Sequence, residues 1–389
     1  MKILVVGAGV MGLATAEALC TAGHAVAVYE QGTIPHDLAS STDEHRLIRY
    51  PYGGHDGYAA LVAPAYAAWD RLWARLGTCH YVPTGTLAVS RETASPDKEI
   101  WVDRSAEGLE RLGVPYEWLD AQALAARFPL LVHRPDSRGL YLDSGGLLLA
   151  RPILESLAAR VAALGGALHP RCRVTAIDPA GAALTLADGS RVSADRLIVT
   201  AGPWLPDLLP GFADQVTPSR QTYAYLDPPA ATRAAWARHP MLLDIGSASG
   251  GSGGSGSGFY LVPPAAGTGM KIGDHGFSLN GHPDRDRAGQ TADVAEALAM
   301  AGEHLAGFED YRVQRLGTCF YTVTGDERFI AAEQGAAWIL TGFSGHGFKF
   351  APLIGAHLAE VIGGRRPASD FQHWISGRPS AMEDAAPAG

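Results

Sequence analysis

Residues 1–30 read MKILVVGAGVMGLATAEALCTAGHAVAVYE. Within this stretch a short apolar run leads into a glycine turn, an alanine- and leucine-rich segment follows, and a second apolar run ends at Glu30. This order is typical of a strand, a tight turn, a helix and a second strand. It predicts that the chain contains a parallel α/β unit in which Glu30 stands at the carboxyl end of the second strand.

The glycine turn contains Gly7, Gly9 and Gly12 in the spacing G-x-G-x-x-G. Gly7 permits the tight turn, Gly9 lets the backbone approach a pyrophosphate, and Gly12 allows close contact of the helix, whose amino terminus favours anionic phosphates. Glu30 follows Gly12 by 18 residues, where a carboxylate accepts hydrogen bonds from ribose hydroxyls and would repel the 2′-phosphate of NADP. A structural turn without a nucleotide is the alternative, and the turn alone does not distinguish FAD from NAD.

Length and composition restrict the classes of protein further. A chain of 389 residues exceeds what one hydrophobic core usually supports, so we expect two joined domains. The formal charge of -9 and the absence of a long basic block argue against nucleic acid as a partner. The opening apolar run is too short for a membrane span and lacks a signal-peptide pattern, which favours a cytoplasmic protein without a membrane partner. Four cysteines without a C-x-x-C pair argue against a disulfide framework or a zinc site, so no metal is expected.

Apolar spacing and turn residues along the rest of the chain predict alternating helices and strands. Helical spacing covers residues 57–76, 106–112, 151–164 and 292–305. Strand character is found at residues 85–89, 173–177, 183–186, 196–200, 221–225, 241–245, 259–262 and 270–272.

Four longer stretches carry a family resemblance. They are residues 45–53 (HRLIRYPYG), 196–204 (RLIVTAGPW), 319–324 (CFYTVT) and 342–350 (GFSGHGFKF). On these motifs the chain resembles the D-amino-acid oxidase superfamily of flavoproteins. More narrowly, it is similar over nearly its whole length to monomeric sarcosine oxidase and N-methyltryptophan oxidase. The resemblance implies FAD as the cofactor and a monomeric protein.

The same resemblance implies the fold class. This is α/β (α+β overall), with a Rossmann-like FAD-binding domain of the glutathione-reductase type and an antiparallel-sheet substrate domain, both discontinuous. We assign residues 1–80, 145–215 and 306–378 to the FAD-binding domain and 81–144 and 216–305 to the substrate domain. Residues 246–258 are almost entirely Gly and Ser and predict a flexible loop, either native or engineered, and residues 379–389 predict a flexible tail.

Cys319 stands where sarcosine oxidases attach the flavin, so the resemblance implies a thioether between this residue and the flavin 8α-methyl group. A thiolate near an electrophilic form of the flavin could form such a bond, whereas a buried thiol is usually inert. Cys20 and Cys172 are expected to be ordinary packing residues. Further cofactor contacts are assigned to Val174, Gly202, Gly345 and Gly347.

Two cations, Arg49 and Lys349, correspond to the family's pair that holds the substrate carboxylate. A guanidinium offers a planar two-point grip, and an ammonium group adds a point charge. Without the motifs, each would be interpreted as a solvated surface residue.

The same resemblance implies active-site roles for four further residues. Arg46 is expected beside the flavin ring, and Lys271 matches the lysine at the face that meets oxygen, where a cation stabilises developing negative charge. Tyr260 and His275 stand where the family has polar groups near the bound amine. An exposed strand lysine, a core-edge tyrosine and a surface histidine are the ordinary alternatives.

The implied reaction is oxidation of the C–N bond of a small amine that carries a carboxylate, with secondary or N-methyl amino acids as the leading class. The product is an imine, and molecular oxygen is reduced to hydrogen peroxide. Residues 40–45 (SSTDEH) depart from the family's histidine-rich, Gly-Asp sequence, which alters the polar wall near the flavin. A dehydrogenase that passes electrons to another acceptor and a non-catalytic flavoprotein subunit are the alternatives.

Overall fold

The computed structural model describes residues 1–90, 100–245 and 258–378. The predicted flexible loop, apart from Gly258, and the predicted tail lie outside these residues. The helices are α1 (Val10–Thr21), α2 (Asp56–Leu76), α3 (Trp101–Leu112), α4 (Ala121–Arg127), α5 (Ala150–Ala163), α6 (Leu205–Leu208), α7 (Arg233–Trp236), α8 (Ala295–His304), α9 (Ala351–Ile362) and α10 (Ala368–Ile375). The strands are β1 (Lys2–Val6), β2 (Ala25–Tyr29), β3 (His45–Ile48), β4 (Tyr81–Pro83), β5 (Thr86–Ser90), β6 (Glu117–Leu119), β7 (Arg138–Leu142), β8 (Gly146–Leu149), β9 (Ala167–His169), β10 (Val174–Asp178), β11 (Ala183–Leu186), β12 (Arg191–Ser193), β13 (Arg196–Val199), β14 (Thr217–Asp227), β15 (Met241–Asp244), β16 (Phe259–Val262), β17 (Met270–Asp274), β18 (Arg312–Val323), β19 (Ile330–Gln334) and β20 (Ala337–Thr341).

A six-stranded sheet in the order β19-β20-β13-β1-β2-β9 contains the predicted α/β unit. All its pairs are parallel except the edge pair β19–β20. Strand β1 is buried on both faces: Ile3 and Val5 pack with helices α1, α5 and α9, whereas Leu4 and Val6 pack with a second cluster on the opposite side. A continuous apolar run suits such a two-sided position. The predicted strand, glycine turn, helix and second strand are therefore confirmed.

Helix α1 lies on this sheet and is fixed by a buried ion pair. Glu17 is 1% exposed, and its carboxylate receives two hydrogen bonds of 2.8 Å from Nε and Nη2 of Arg75 in α2. Paired donors on a planar guanidinium fix both distance and orientation. This contact sets α2 against the amino-terminal unit.

An eight-stranded sheet in the order β18-β14-β17-β16-β15-β5-β7-β6 forms the second half. It is antiparallel as expected, apart from the parallel pair of β15 with β5. Alternate residues such as Leu242, Leu261 and Ile272 pack against Ala297 and Ala301 of α8. This alternation produces a core on one face of the sheet.

The domain division drawn from the sequence differs from the sheets at one strand. Residues 312–323 were assigned to the FAD-binding half, but β18 pairs along its length with β14 of the eight-stranded sheet. The chain returns to the six-stranded sheet only at β19. A long strand of the eight-stranded sheet therefore carries residues 319–323 of that motif.

Two three-stranded sheets complete the fold. The sheet β3-β8-β4 joins residues 45–48, 146–149 and 81–83, and β10-β11-β12 lies beside the six-stranded sheet. Among the helices of the described residues, none combines the length and apolar character that crossing a bilayer requires.

Candidate active site

A cleft with an empty volume of about 1110 Å³ opens at the carboxyl ends of β1 and β2. Most of the predicted cofactor residues line it. Gly12 and Cys319 do not line it, but Gly12 packs on Gly7 and Cys319 packs with Tyr321, and both of these partners are lining residues. The predicted residues that line the cleft are Gly7, Gly9, Glu30, Arg46, Val174, Gly202, Gly345 and Gly347.

The glycine turn brings three backbone segments into close approach. Gly7 has a φ of +94°, and a Cβ added there would lie 2.5 Å from the carbonyl oxygen of Thr200. A Cβ on Gly12 would lie 1.9 Å from the carbonyl oxygen of Gly7. Helix α1 starts at Val10 within this turn; its N-cap residue Gly9 has no side chain, its first turn has no acidic residue, and the N–H of Val10 donates to Oγ of Ser41 at 2.9 Å. Its amino terminus therefore offers N–H donors and positive potential to an anion in the cleft.

Glu30 follows the last residue of β2 and is 6% exposed. Its carboxylate accepts hydrogen bonds from the backbone N–H groups of Ala8 at 2.8 Å and Gly32 at 3.0 Å, and it lies 3.1 Å from Nδ1 of His36. Burial alone would raise the pKa of Glu30, but the hydrogen bonds from His36 and the two N–H groups leave that pKa lowered. The carboxylate is therefore anionic where it borders the cleft.

Two basic side chains, those of Lys349 and Arg49, lie beside Tyr52. Lys349, which is 4% exposed, donates hydrogen bonds to the Tyr52 hydroxyl at 2.8 Å and to the His346 carbonyl at 3.2 Å. Arg49, which is 9% exposed, donates to the Pro51 carbonyl, and its guanidinium carbon lies 5.1 Å from the Tyr52 ring centroid. Within residues 1–90, 100–245 and 258–378, neither cation forms an ion pair with a carboxylate. Two buried positive charges without an anionic partner are unusual in a folded protein.

The pKa shifts show that these groups lie in one electrostatic environment. Burial first, and then the charge of Arg49, hold the pKa of Lys349 well below its ordinary value. Burial, Arg49 and Lys349 lower the pKa of His275 to about 4. Unlike Arg49 and Lys349, His275 has an exposed surface. A carboxylate that entered this region, which we call the Arg49–Lys349 pocket, would relieve the repulsion.

Arg46 and Lys271 meet at a carboxylate that the sequence motifs did not single out. Asp43 Oδ2 lies 2.8 Å from Nη1 of Arg46 and 2.6 Å from Nζ of Lys271. Its Oδ1 accepts a hydrogen bond of 2.8 Å from the Tyr225 hydroxyl, and the ammonium group of Lys271 lies 3.8 Å from the Tyr223 ring centroid. Burial opposes ionisation of Asp43, but Lys271 and Arg46 hold its pKa well below the usual range. Lys271 is thus a buried, ion-paired residue and not an exposed strand lysine.

Cys319 lies next to this charged cluster. Its thiol is 5% exposed and packs with Tyr223, Tyr225 and Tyr321. Burial raises the pKa of Cys319, while Arg46 and Lys271 act in the opposite direction. The net effect is a raised pKa, so the thiol form is favoured, and the two cations only reduce the cost of forming the thiolate, which is the nucleophilic form of cysteine.

Tyr260 lies on β16 and is half-buried between two small apolar clusters. Burial raises its pKa well above the ordinary value, and the nearby Tyr321 and Cys319 act in the same direction. Its hydroxyl is therefore a neutral group that can donate a hydrogen bond at any ordinary pH.

A second cleft, with an empty volume of about 960 Å³, meets the same cluster from another side. Asp43 and Tyr223 line it, together with Glu44, Arg315 and the turn formed by residues 266–268. Since Arg46 lines the first cleft and Asp43 the second, the Arg46–Asp43 ion pair stands between them.

A model of the FAD dependent oxidoreductase family, DAO, matches residues 2–361. The chain belongs to this family. The match includes the glycine turn, both sheets and the residues of both clefts, so the resemblance to D-amino-acid oxidase-type flavoproteins is confirmed.

Similar proteins agree with this assignment. N-methyl-L-tryptophan oxidase of Yersinia pestis (strain Pestoides F) is 27% identical over 361 residues, which are 91% of this chain and 92% of the relative. The structure of NikD, an unusual amino acid oxidase essential for nikkomycin biosynthesis, matches with a TM-score of 0.79 and 21% identity over 96% of each chain. Glycine oxidase from Bacillus cereus ATCC 14579 matches with a TM-score of 0.77 and 16% identity over 97% of this chain and 98% of the other. The predicted fold class is therefore confirmed.

The first cleft of this DAO family member fits FAD. The start of α1, which has no acidic residue in its first turn, and the tightly packed glycine turn suit a pyrophosphate, and the anionic Glu30 suits ribose hydroxyls. The remaining wall, which contains Arg46, Tyr321 and Phe348, would hold the isoalloxazine ring.

Sequence reasoning did not single out four residues that the structure places at the candidate site. Ser41 accepts a hydrogen bond of 2.9 Å from the N–H of Val10, and Cys172, expected to be a packing residue, lines the first cleft. Ser41 and Asp43 lie in the segment 40–45 that departs from the family pattern, and Tyr52 lies inside the 45–53 motif, but no pattern indicated His36. The four missed residues are His36, Ser41, Asp43 and Tyr52.

Proposed function

We propose that the protein oxidises the C–N bond of a small carboxylated amino acid, with secondary or N-methyl amino acids as the leading class, and reduces oxygen to hydrogen peroxide. The observation that carries this proposal is the Arg49–Lys349 pocket, where two buried cations have no carboxylate partner among the described residues. A substrate carboxylate would supply the missing negative charge. Bound FAD would supply the two-electron oxidant.

The chain's own residues would then orient the substrate. The Lys349 ammonium group, held by the Tyr52 hydroxyl, and the Arg49 guanidinium would bind the carboxylate at two points. Tyr260 and His275 would contact the amine end. The positive field of the pocket disfavours an ammonium ion, so it would raise the fraction of neutral, oxidisable amine.

We further propose that Cys319 attaches the flavin covalently and that the protein acts as a monomer in the cytoplasm. The support for attachment is that Cys319 packs against Tyr321 of the cleft wall, close to Arg46 and Lys271, which would reduce the cost of forming its thiolate. The domain division stays a prediction, with β18 reassigned to the eight-stranded sheet.

The test is an aerobic screen of N-methyl, cyclic and primary amino acids, each with a matched amine that lacks the carboxylate. Stoichiometric hydrogen peroxide from a carboxylated secondary amine, with little from its decarboxylated match, supports the proposal. Anaerobic bleaching of the flavin without peroxide under air would instead indicate a dehydrogenase. No bleaching by any amine would indicate a non-catalytic flavoprotein.

A further inference from the structure

The charge balance around Lys271 is unusual for a group expected to stabilise negative charge on oxygen. A cation serves that purpose best when its charge is directed at the place where negative charge develops. Here the Lys271 ammonium group is 2.6 Å from Asp43 Oδ2, and the side chains of both residues are less than a tenth exposed. The carboxylate therefore cancels much of the lysine's field at longer range.

The contact between Asp43 and Lys271 is not incidental, because Asp43 binds side chains from three strands. One oxygen receives both Arg46 and Lys271, and the other receives the Tyr225 hydroxyl, so three side chains from β3, β14 and β17 converge on one carboxylate. Asp43 also lies in residues 40–45, the segment in which the chain departs from the family pattern. The two cations and one carboxylate leave a net charge of one positive unit where Arg46 and Lys271 alone would give two.

We propose that Asp43 is a positioning residue that fixes Lys271 and offsets its charge, and that it thereby lowers the flavin reduction potential and slows the reaction of the reduced enzyme with oxygen. In that reaction O2 takes up two electrons and two protons from the reduced enzyme and becomes H2O2, while the enzyme returns to its oxidised form. This inference rests on the proposed function for the position of the flavin, but it needs no amine substrate.

The test compares Asp43→Asn, which removes the negative charge, with Asp43→Glu, which retains it. The first measurement is the midpoint potential of the bound flavin against a reference dye. We expect Asp43→Asn to favour the reduced flavin at least tenfold, which for a two-electron couple is about 30 mV in the positive direction. Asp43→Glu should remain near the wild-type potential. Equal shifts in the two variants, or no shift in Asp43→Asn, would overturn the inference.

The second measurement is the rate at which photochemically reduced enzyme reacts with oxygen. We expect a rate at least threefold higher in Asp43→Asn, because Lys271 is freed from its carboxylate. The gain should disappear when Lys271→Met is added. If the faster reaction with oxygen persists in the variant that combines Asp43→Asn with Lys271→Met, the inference that Asp43 acts through Lys271 is wrong. Tyr225→Phe is the matched control, since it removes one hydrogen bond to Asp43 and leaves all three charges in place, and its potential should remain close to wild type.

Asp43→Asn leaves two buried cations close together and could lose the flavin, so a second variant keeps the inference testable. Lys271→Met alone should slow the reaction with oxygen less than tenfold, because the lysine charge is already offset. A loss of a hundredfold or more would show that Lys271 acts as an unattenuated cation and would overturn the inference. Since the enzyme is reduced by light, these results hold whether or not an amine is oxidised.

Discussion

The ammonium nitrogen of Lys349 lies 2.8 Å from the hydroxyl oxygen of Tyr52, and that hydroxyl lies 3.3 Å from Nδ1 of His346. A phenol can orient a lysine but cannot neutralise it, because burial holds the pKa of Tyr52 far above its ordinary value. The positive charge of Lys349 is therefore positioned without being cancelled. This arrangement is what a binding site for an anionic group requires.

Lys349→Met is expected to raise the KM for a carboxylated amino acid about tenfold to a hundredfold, because a charge-assisted hydrogen bond contributes about 1.5–3 kcal/mol. Steady-state kinetics with the best substrate of the peroxide screen measures this. An unchanged KM would remove Lys349 from the carboxylate site. Tyr52→Phe is the matched variant, since it leaves the charge and removes only its orientation, and it should have a smaller effect.

Binding of a simple carboxylate such as benzoate is expected to weaken as the pH rises from 7 to 10. In the ligand-free protein, burial and Arg49 lower the pKa of Lys349, so the ammonium form that binds the anion is lost at alkaline pH. Titration of the flavin absorption spectrum at several pH values gives the dissociation constants. The dependence should flatten in Lys349→Met, and equal slopes in the two proteins would contradict the assignment.

Cys319→Ser is expected to release the flavin on denaturation, whereas the wild-type protein should keep its yellow colour on the precipitated polypeptide. Cys172→Ser is the control, because Cys172 also borders the first cleft and its loss should leave the colour attached. Absorbance of the supernatant after acid precipitation provides the measurement. Release of flavin from the wild-type protein would mean that no thioether exists.

The stability of the flavin-free protein is expected to fall as the pH is lowered from 6.5 towards 4, in part through His239. This residue is 5% exposed between Phe128 and Trp236, and burial lowers its pKa to about 4. The unfolded chain binds a proton at about pH 6.5 and the folded protein does not, so acid favours unfolding by up to about 3 kcal/mol.

His239→Phe should therefore show a smaller drop in Tm between pH 7 and pH 5 than the wild-type protein. Its Tm at pH 7 is expected to be lower, because the hydrogen-bonding contact of Nδ1 with the Pro240 carbonyl is lost. Calorimetry at the two pH values separates these effects. Parallel pH profiles for variant and wild type would show that His239 does not titrate on unfolding.

Local periodicity predicted much of the secondary structure. The bounds of β11 and β16 agree with the sequence to the residue, because each is a short apolar run between turn residues. Helix α3, expected at residues 106–112, starts five residues earlier at Trp101. The sheet to which β18 belongs could not be read locally, since strand pairing depends on residues about a hundred positions away.

The motifs predicted the cationic residues of the site but not their partners. Arg46 and Lys271 were selected as separate cations, whereas both pair with Asp43, and the pair with Lys271 is a tertiary contact across 228 residues of sequence. A carboxylate in a segment that departs from the family's pattern, as Asp43 does, leaves no periodic signal in the sequence. Charge balance in a site is therefore a property of the folded chain.

The segment of residues 40–46 contacts both the start of helix α1 and the side chain of Lys271. Ser41 receives the N–H of Val10 at the start of α1, and two residues later Asp43 receives Lys271 from the eight-stranded sheet. The guanidinium of Arg46 is in turn tied to the carbonyl of Ser40 at 2.6 Å. Substitutions in this segment that speed the reaction with oxygen are thus also expected to disturb retention of the prosthetic group. In a library of such variants, the flavin content of the purified protein and its rate of reaction with oxygen should therefore both change.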